Sequence, residues 1–85
     1  MLGVDVIEEP AAAIAALDPV RARLLALLAD EPASATALAK ALEMPRQKVN
    51  YHLRALESHG LVELVEERPV RGVTERVLRA SAASY

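Results

Sequence analysis

Residues 45–60 read PRQKVNYHLRALESHG and decide the fold of this 85-residue chain. Pro45 suits the first turn of a helix, where its missing N–H is not needed. The apolar residues of the stretch recur at helical spacing and are Val49, Leu53 and Leu56. Gly60 then supplies the left-handed conformation that ends many helices. The pattern predicts a helix over residues 45–59 that buries one narrow apolar stripe.

The opposite face of this helix is polar and basic. It carries Gln47, Lys48, Asn50, Tyr51 and Arg54. Arg46 lies beside the apolar stripe but at the start of the helix, where its long side chain can still reach forward. Guanidinium, amide and hydroxyl groups bond phosphates and the base edges of the major groove, and a helix N-terminus offers backbone N–H groups to a phosphate. The face therefore indicates contact with double-stranded DNA. The alternatives are a solvated charged surface and, for Tyr51, a contact between subunits.

Two further helices are predicted immediately before this one. Asp18 is a good N-cap and is followed by proline, so a helix is expected over residues 19–29. Ser34 is the next N-cap and begins a compact helix that ends before residues 43–45. Because only this short break separates it from the next helix, the pair has the plan of a helix-turn-helix.

The sequence period changes from helical to alternating after Gly60. Leu61–Val65 and Val73–Arg79 are rich in β-branched residues and predict two strands. Residues 68–72 carry turn chemistry, so the strands form a β-hairpin with a basic tip. The alternation of apolar and polar residues is imperfect, which leaves the register open. Arg68 and Arg71 either contact a ligand or protect the edge of the sheet from aggregation.

Four stretches together resemble the ArsR family of bacterial winged helix-turn-helix repressors. The chain reads DPVRARLLALL at 18–28, ASATALAKAL at 33–42, VNYHLRALESHGLV at 49–62 and RGVTER at 71–76. The third stretch is similar to the family's recognition helix, V-x-x-H-L-x-x-L followed by G-L-V, and the fourth to its wing. The resemblance covers roughly residues 11–80.

The resemblance implies a mainly α-helical fold with a small β-hairpin, in which four helices precede a two-stranded wing. It implies a sequence-specific DNA-binding transcriptional regulator, a repressor in most of the family. Helix 45–59 would read the major groove, and the wing, residues 66–74, would contact the adjacent backbone or minor groove. The expected contact residues are Arg46, Gln47, Lys48, Asn50, Tyr51, Arg54, Arg68, Arg71 and Gly72.

The resemblance also implies a homodimer on a palindromic operator. The Ala-rich helix predicted over residues 11–17 either joins the core or packs closely against a second subunit.

The sequence departs from the family in two respects. The family's metal sensors use cysteine pairs and carboxylate or histidine clusters that are not present in this sequence. Pro45 stands where the family often has Ser or Thr. The chain ends before a helix after the wing, so helix 11–17 carries the dimer or the chain belongs to a longer regulator with a sensor domain.

The composition excludes several classes of protein. The chain has no cysteine, so disulfides, thiolate metal sites and cysteine nucleophiles are excluded. His52 and His59 have no acidic residue at the spacing of a metal motif, and no serine lies in a nucleophile motif. We therefore expect no metal, no cofactor and no enzymatic activity. The apolar runs are far shorter than the roughly 20 residues of a membrane span, which indicates a cytoplasmic protein.

The length and charge bear on organisation and partners. A chain of 85 residues holds one domain. We expect a flexible acidic lead at 1–10, the DNA-binding domain at 11–80 and a tail at 81–85. The net charge of −2 favours a second hypothesis, a winged-helix module that binds protein. However, residues 45–56 and 68–79 each sum to +3, so the positive charge is concentrated on the two predicted DNA-reading elements.

Overall fold

A computed structural model describes residues 14–81 of the chain. Its elements are α1 (Pro19–Asp30), β1 (Ala33–Ser34), α2 (Ala35–Leu42), α3 (Arg46–Ser58), β2 (Val62–Val70) and β3 (Val73–Ala80). Residues 14–16 are also helical and belong to the helix predicted over 11–17, whose beginning lies outside the described residues. The predicted lead at 1–10 and all of the predicted tail except residue 81 also lie outside them.

The two helices before the turn begin at the predicted caps. The Asp18 carboxylate accepts hydrogen bonds from the N–H groups of Val20 at 2.8 Å and Arg21 at 3.3 Å. Burial raises the pKa of Asp18. The two hydrogen bonds and the nearby His52 and Arg21 lower it by more than burial raises it, so the pKa lies below its ordinary value of 3.8. The hydroxyl of Ser34 accepts from the N–H of Ala37 at 3.2 Å and begins α2.

The turn between α2 and α3 is as short as the sequence predicts. Glu43 ends α2 in the left-handed conformation, with φ of 55°. The N–H of the next residue, Met44, donates to the carbonyl of Ala39 at 3.0 Å, which closes the end of α2. Pro45 is the N-cap of α3, and its carbonyl accepts the first helical hydrogen bonds. Because Pro45 offers no side-chain hydrogen bond, α3 begins on backbone geometry alone.

Helix α3 ends as predicted and leads directly into the sheet. Gly60 has a φ of +74°, which a residue with a Cβ atom rarely adopts. The N–H of Leu61 donates to the carbonyl of Leu56 at 2.9 Å across this cap. Leu61 and Val62 are then buried at once, so the chain turns from helix to strand without leaving the core.

The sheet has three strands rather than the predicted two, in the order β1-β3-β2 and antiparallel throughout. The added strand, β1, pairs Ala33 with Leu78 and Ser34 with Val77. This ties the residues just before α2 to the wing. A two-residue strand has no periodicity of its own, which is why the sequence did not predict it.

The hairpin turn is shorter than the predicted residues 68–72. β2 continues to Val70 instead of ending at Val65, and the turn comprises only Arg71 and Gly72. The pairing shifts register between Leu64 and Glu66, so Val65 is an extra residue in a β-bulge. Such an insertion moves the following side chains to the other face. It explains why the alternation is imperfect in sequence.

The core lies between the three helices and the base of the sheet and is entirely aliphatic apart from its rim. Its buried residues include Leu24, Leu28, Leu38, Leu42, Val49, Leu53, Leu56, Leu61, Val62 and Leu78. The predicted stripe of α3 is thus confirmed, and the opposite face of this helix is left to solvent. Among residues 14–81, no helix has the length and apolar character that crossing a membrane requires.

Candidate nucleic-acid interface

The polar face of α3 is fully available to a ligand. Its six predicted contact residues are all exposed: Arg46, Gln47, Lys48, Asn50, Tyr51 and Arg54. Val49, Leu53 and Leu56 hold the helix on the core from the other side. Because the stripe is narrow, more than half of the helix circumference is left to solvent. The structure therefore places these six residues on one continuous surface.

One edge of this surface borders a groove between α3 and β3. Arg46, Asn50 and Arg54 follow each other at intervals of one helical turn, and we call them the wing-side row. They line a groove of about 170 Å³ together with Glu57 of α3 and with Thr74, Glu75 and Arg76 of β3. Residues 34–36, at the start of α2, form its end. Two unpaired guanidinium groups and an amide thus line one side of a single open groove.

The other edge of the surface borders α1. Here the Arg21 guanidinium carbon lies 5.9 Å from the centre of the Tyr51 ring. The Arg21 Nε–H donates to Nδ1 of His52 at 3.0 Å. His52 is buried. Arg21 was not predicted as a site residue, and its only signal in the sequence is a charge that falls off the apolar stripe of α1.

Unpaired cations lie on α3 and at the tip of the wing. Within residues 14–81, the cations of the predicted site whose side chains form no ion pair or hydrogen bond are Arg46, Lys48, Arg54 and Arg71. A cation without an internal partner keeps its full attraction for an external anion. The charge of +3 predicted for residues 45–56 is therefore available, because that segment contains no acidic residue.

Most of the positive charge predicted for the wing is neutralised by ion pairs. The sum of +3 over residues 68–79 therefore overstates the charge that a ligand would meet. Arg68 donates to Glu66 at 2.7 Å, and this hydrogen bond raises the pKa of Arg68. Arg79 donates to Glu63 at 2.6 Å. The acidic partners precede the segment 68–79, so the sum over that segment missed them. Arg71 is the one arginine of β2, β3 and their turn without a carboxylate partner.

The base of the wing is fastened to the C-terminal half of α3. Both Nη atoms of Arg76 donate to Glu57, at 2.6 and 3.1 Å. This two-point contact raises the pKa of Arg76 and restricts the angle between β3 and α3. Because Glu57 follows the wing-side row on the same helix, the pair fixes the width of the groove at that end.

The tip of the wing presents Arg71 outward. Arg71 and Gly72 have φ of 52° and 79°, the two positive values of a two-residue turn that matches strand twist. No atom lies within 4 Å of a Cβ placed on Gly72, so glycine is required here by its backbone and not by space. Val70 and Val73 flank the tip and are exposed. The tip is therefore a narrow projection with one charge and an apolar base.

The described part of the chain contains no cluster of three or more His, Asp, Glu or Cys residues that could hold a metal ion.

A sequence model of the family described as helix-turn-helix domain matches residues 16–65, which is more than half of the chain. The chain belongs to this helix-turn-helix family. No curated protein matches the helix-turn-helix chain significantly.

Solved structures place the helix-turn-helix chain among winged domains. It is similar to the homodimeric winged helix-turn-helix DNA-binding domain Mb0332 of Mycobacterium bovis, a possible ArsR-family transcriptional regulator, with 28% identity and a TM-score of 0.67. The match covers 84% of this chain and 61% of the M. bovis domain. HlyU of Vibrio cholerae N16961 has the same fold, with 24% identity, a TM-score of 0.67 and coverage of 88% and 80%. The winged helix-turn-helix fold and the resemblance to the ArsR family are confirmed.

Proposed function

We propose that this helix-turn-helix chain is a transcriptional regulator that binds double-stranded DNA, with α3 in the major groove. The observation that carries the proposal is the exposed face of α3. It combines three unpaired cations with two amides and a phenol and contains no carboxylate from Arg46 to Arg54. A merely solvated face has no reason to exclude acidic residues over two helical turns.

The roles of the α3 residues follow from their positions. Arg46 and Arg54 border the groove beside β3 and are proposed to bind phosphates of the strand that enters it. Lys48 extends the positive surface at the start of the helix. Gln47 and Asn50 carry amides that match the donor and acceptor pair of adenine. These two residues and Tyr51 are proposed to distinguish bases, whereas the cations supply affinity that is independent of sequence.

The wing contributes less charge than the sequence suggests. Arg71 and Gly72 are proposed as the contact at the tip, with Arg71 on the backbone or in the minor groove. Arg68 was also predicted to contact DNA, but it already donates to Glu66. Because Glu66 offsets the charge of Arg68, we assign Arg68 a minor part.

We further propose that the protein acts as a homodimer on a palindromic operator. The M. bovis domain, which is 28% identical, is homodimeric. Two recognition helices related by a twofold axis would enter successive major grooves about 34 Å apart. Repression, action in the cytoplasm and the absence of catalysis complete the proposal, since a regulator of this type acts by occupying its operator.

Selection from a library of random duplexes tests the proposal. The purified chain is expected to enrich a palindromic sequence, and fluorescence anisotropy should then show tighter binding to the enriched duplex than to a scrambled one. The triple variant R46Q/K48Q/R54Q should bind neither. If no sequence is enriched at moderate salt, the same surface is better assigned to a protein partner.

A further inference from the structure

Arg21 lies outside the recognition helix but touches the surface that reads DNA. It is the third residue of α1, and its backbone N–H is fixed by the Asp18 cap at 3.3 Å. Its side chain is half-buried and crosses to α3 on the side away from the wing. Arg23 lies two residues further along the same helix, is exposed and makes no comparable contact with α3.

The hydrogen bond from Arg21 defines the chemical form of His52. The Nδ1 atom of His52 accepts from the Arg21 Nε–H at 3.0 Å. An imidazole nitrogen accepts only when it carries no proton, so the ring proton lies on Nε2. His52 is buried, with only 7% of the residue exposed. Arg21 therefore holds a buried imidazole in one tautomer and one orientation.

Tyr51 is the residue that these contacts serve. Tyr51 is 65% exposed, and an exposed aromatic ring ordinarily samples several rotamers. Here the ring packs edge-on against His52, with centroids 5.3 Å apart and planes at 70°. The Arg21 guanidinium lies within cation–π range of the same ring. One contact within α3 and one from α1 thus restrict a side chain that otherwise faces solvent.

We propose that Arg21 is a positioning residue for sequence recognition: it holds Tyr51, directly and through His52, in the orientation that contacts a base. This inference rests on the proposed function, because Tyr51 discriminates sequences only if α3 binds DNA. Arg21 itself is not required to touch a base. Its loss is expected to reduce the preference for the right sequence more than the attraction to DNA in general.

Affinity measurements on four variants test the proposal against a general effect of charge. R21Q, Y51A, R21Q/Y51A and the matched control R23Q are titrated with the enriched duplex and with its scrambled form. R21Q should reduce the ratio of the two affinities about two- to fivefold, the range of one cation–π contact at an exposed site. R23Q removes the same charge from the same helix and should leave the ratio unchanged.

The double variant separates positioning from independent contacts. If Arg21 acts through Tyr51, R21Q/Y51A should discriminate no worse than Y51A, within about twofold. Additive losses would overturn the proposal, as would an R21Q protein that is folded and keeps its full ratio. R21K supplies a further check, because lysine keeps the charge but lacks the planar guanidinium that stacks on the ring. R21K should bind the scrambled duplex as well as the wild type does, but its ratio of affinities for the enriched and scrambled duplexes should stay reduced.

Side-chain ¹⁵N spectra of the free protein give a readout that does not depend on DNA. Nδ1 of His52 should resonate as an unprotonated acceptor in the wild type and change in R21Q, together with the ring protons of Tyr51. A protonated Nδ1 in the wild type would refute the positioning itself. If the spectra are as expected but no duplex binds, the proposed function fails while the positioning of Tyr51 stands.

Discussion

Replacing Arg54 by glutamine should reduce the salt dependence of DNA binding by a calculable amount. Within residues 14–81, the proposed surface carries four cations without an internal partner, which are Arg46, Lys48, Arg54 and Arg71. Each phosphate contact contributes a slope of about −0.9 to the plot of log K against log salt. If all four bind phosphates, a dimer has a slope of about −7, and R54Q lowers its magnitude by about 1.8.

R68Q is the matched control, because Arg68 is already paired with Glu66 at 2.7 Å. Its loss should change the slope by less than half as much as the loss of Arg54. The assay is fluorescence anisotropy of the enriched duplex between about 50 and 200 mM salt, with both variants checked for folding by circular dichroism. Equal effects of R54Q and R68Q would refute the distinction between paired and unpaired cations. An unchanged slope in R54Q would remove Arg54 from the phosphate contacts.

Three further substitutions test the fold and its connection to the site. L53A truncates a side chain that is 1% exposed and should cost about 2–5 kcal/mol of unfolding free energy, measured in urea. E57Q weakens the two-point contact with Arg76; it should cost at most about 1 kcal/mol, because the pair is partly exposed, yet anisotropy should show weaker DNA binding through a looser wing. D18N keeps the cap of α1 without a titrating group. The lowered pKa of Asp18 means that wild-type stability from this cap is complete above pH 3.8 and is lost as the pH falls through the folded pKa. The melting temperature of D18N should not show that loss.

Most of the helical part of the fold could be predicted because its signals are local. Asp18 and Ser34 each cap a helix through a bond to a backbone N–H only two or three residues away. Gly60 ends α3 by its own backbone preference. The exposure of the α3 face follows from the spacing of Val49 and Leu53 alone. Such features need no knowledge of the rest of the chain.

The errors concern pairings between distant or differently registered residues. The bulge at Val65 shifts the register of β2, and because the sequence pattern breaks at this point it predicts a strand that ends at Val65. The neutralisation of Arg76 requires Glu57, which lies 19 residues earlier on another element. Arg21 and His52 are separated by 31 residues. These contacts form only when the helices and the sheet have packed, so charge sums over single segments overstated the basic character of the wing.

Amide chemical-shift mapping tests the central claim, that the outward face of α3 binds duplex DNA. The ¹⁵N-labelled chain is titrated with the enriched duplex, and each amide signal is followed. The account predicts that the largest changes fall on residues 46–54 and on Arg71 and Gly72, with little change at the exposed end of α1 around Ala29. No change on adding duplex, or changes concentrated away from α3, would contradict it.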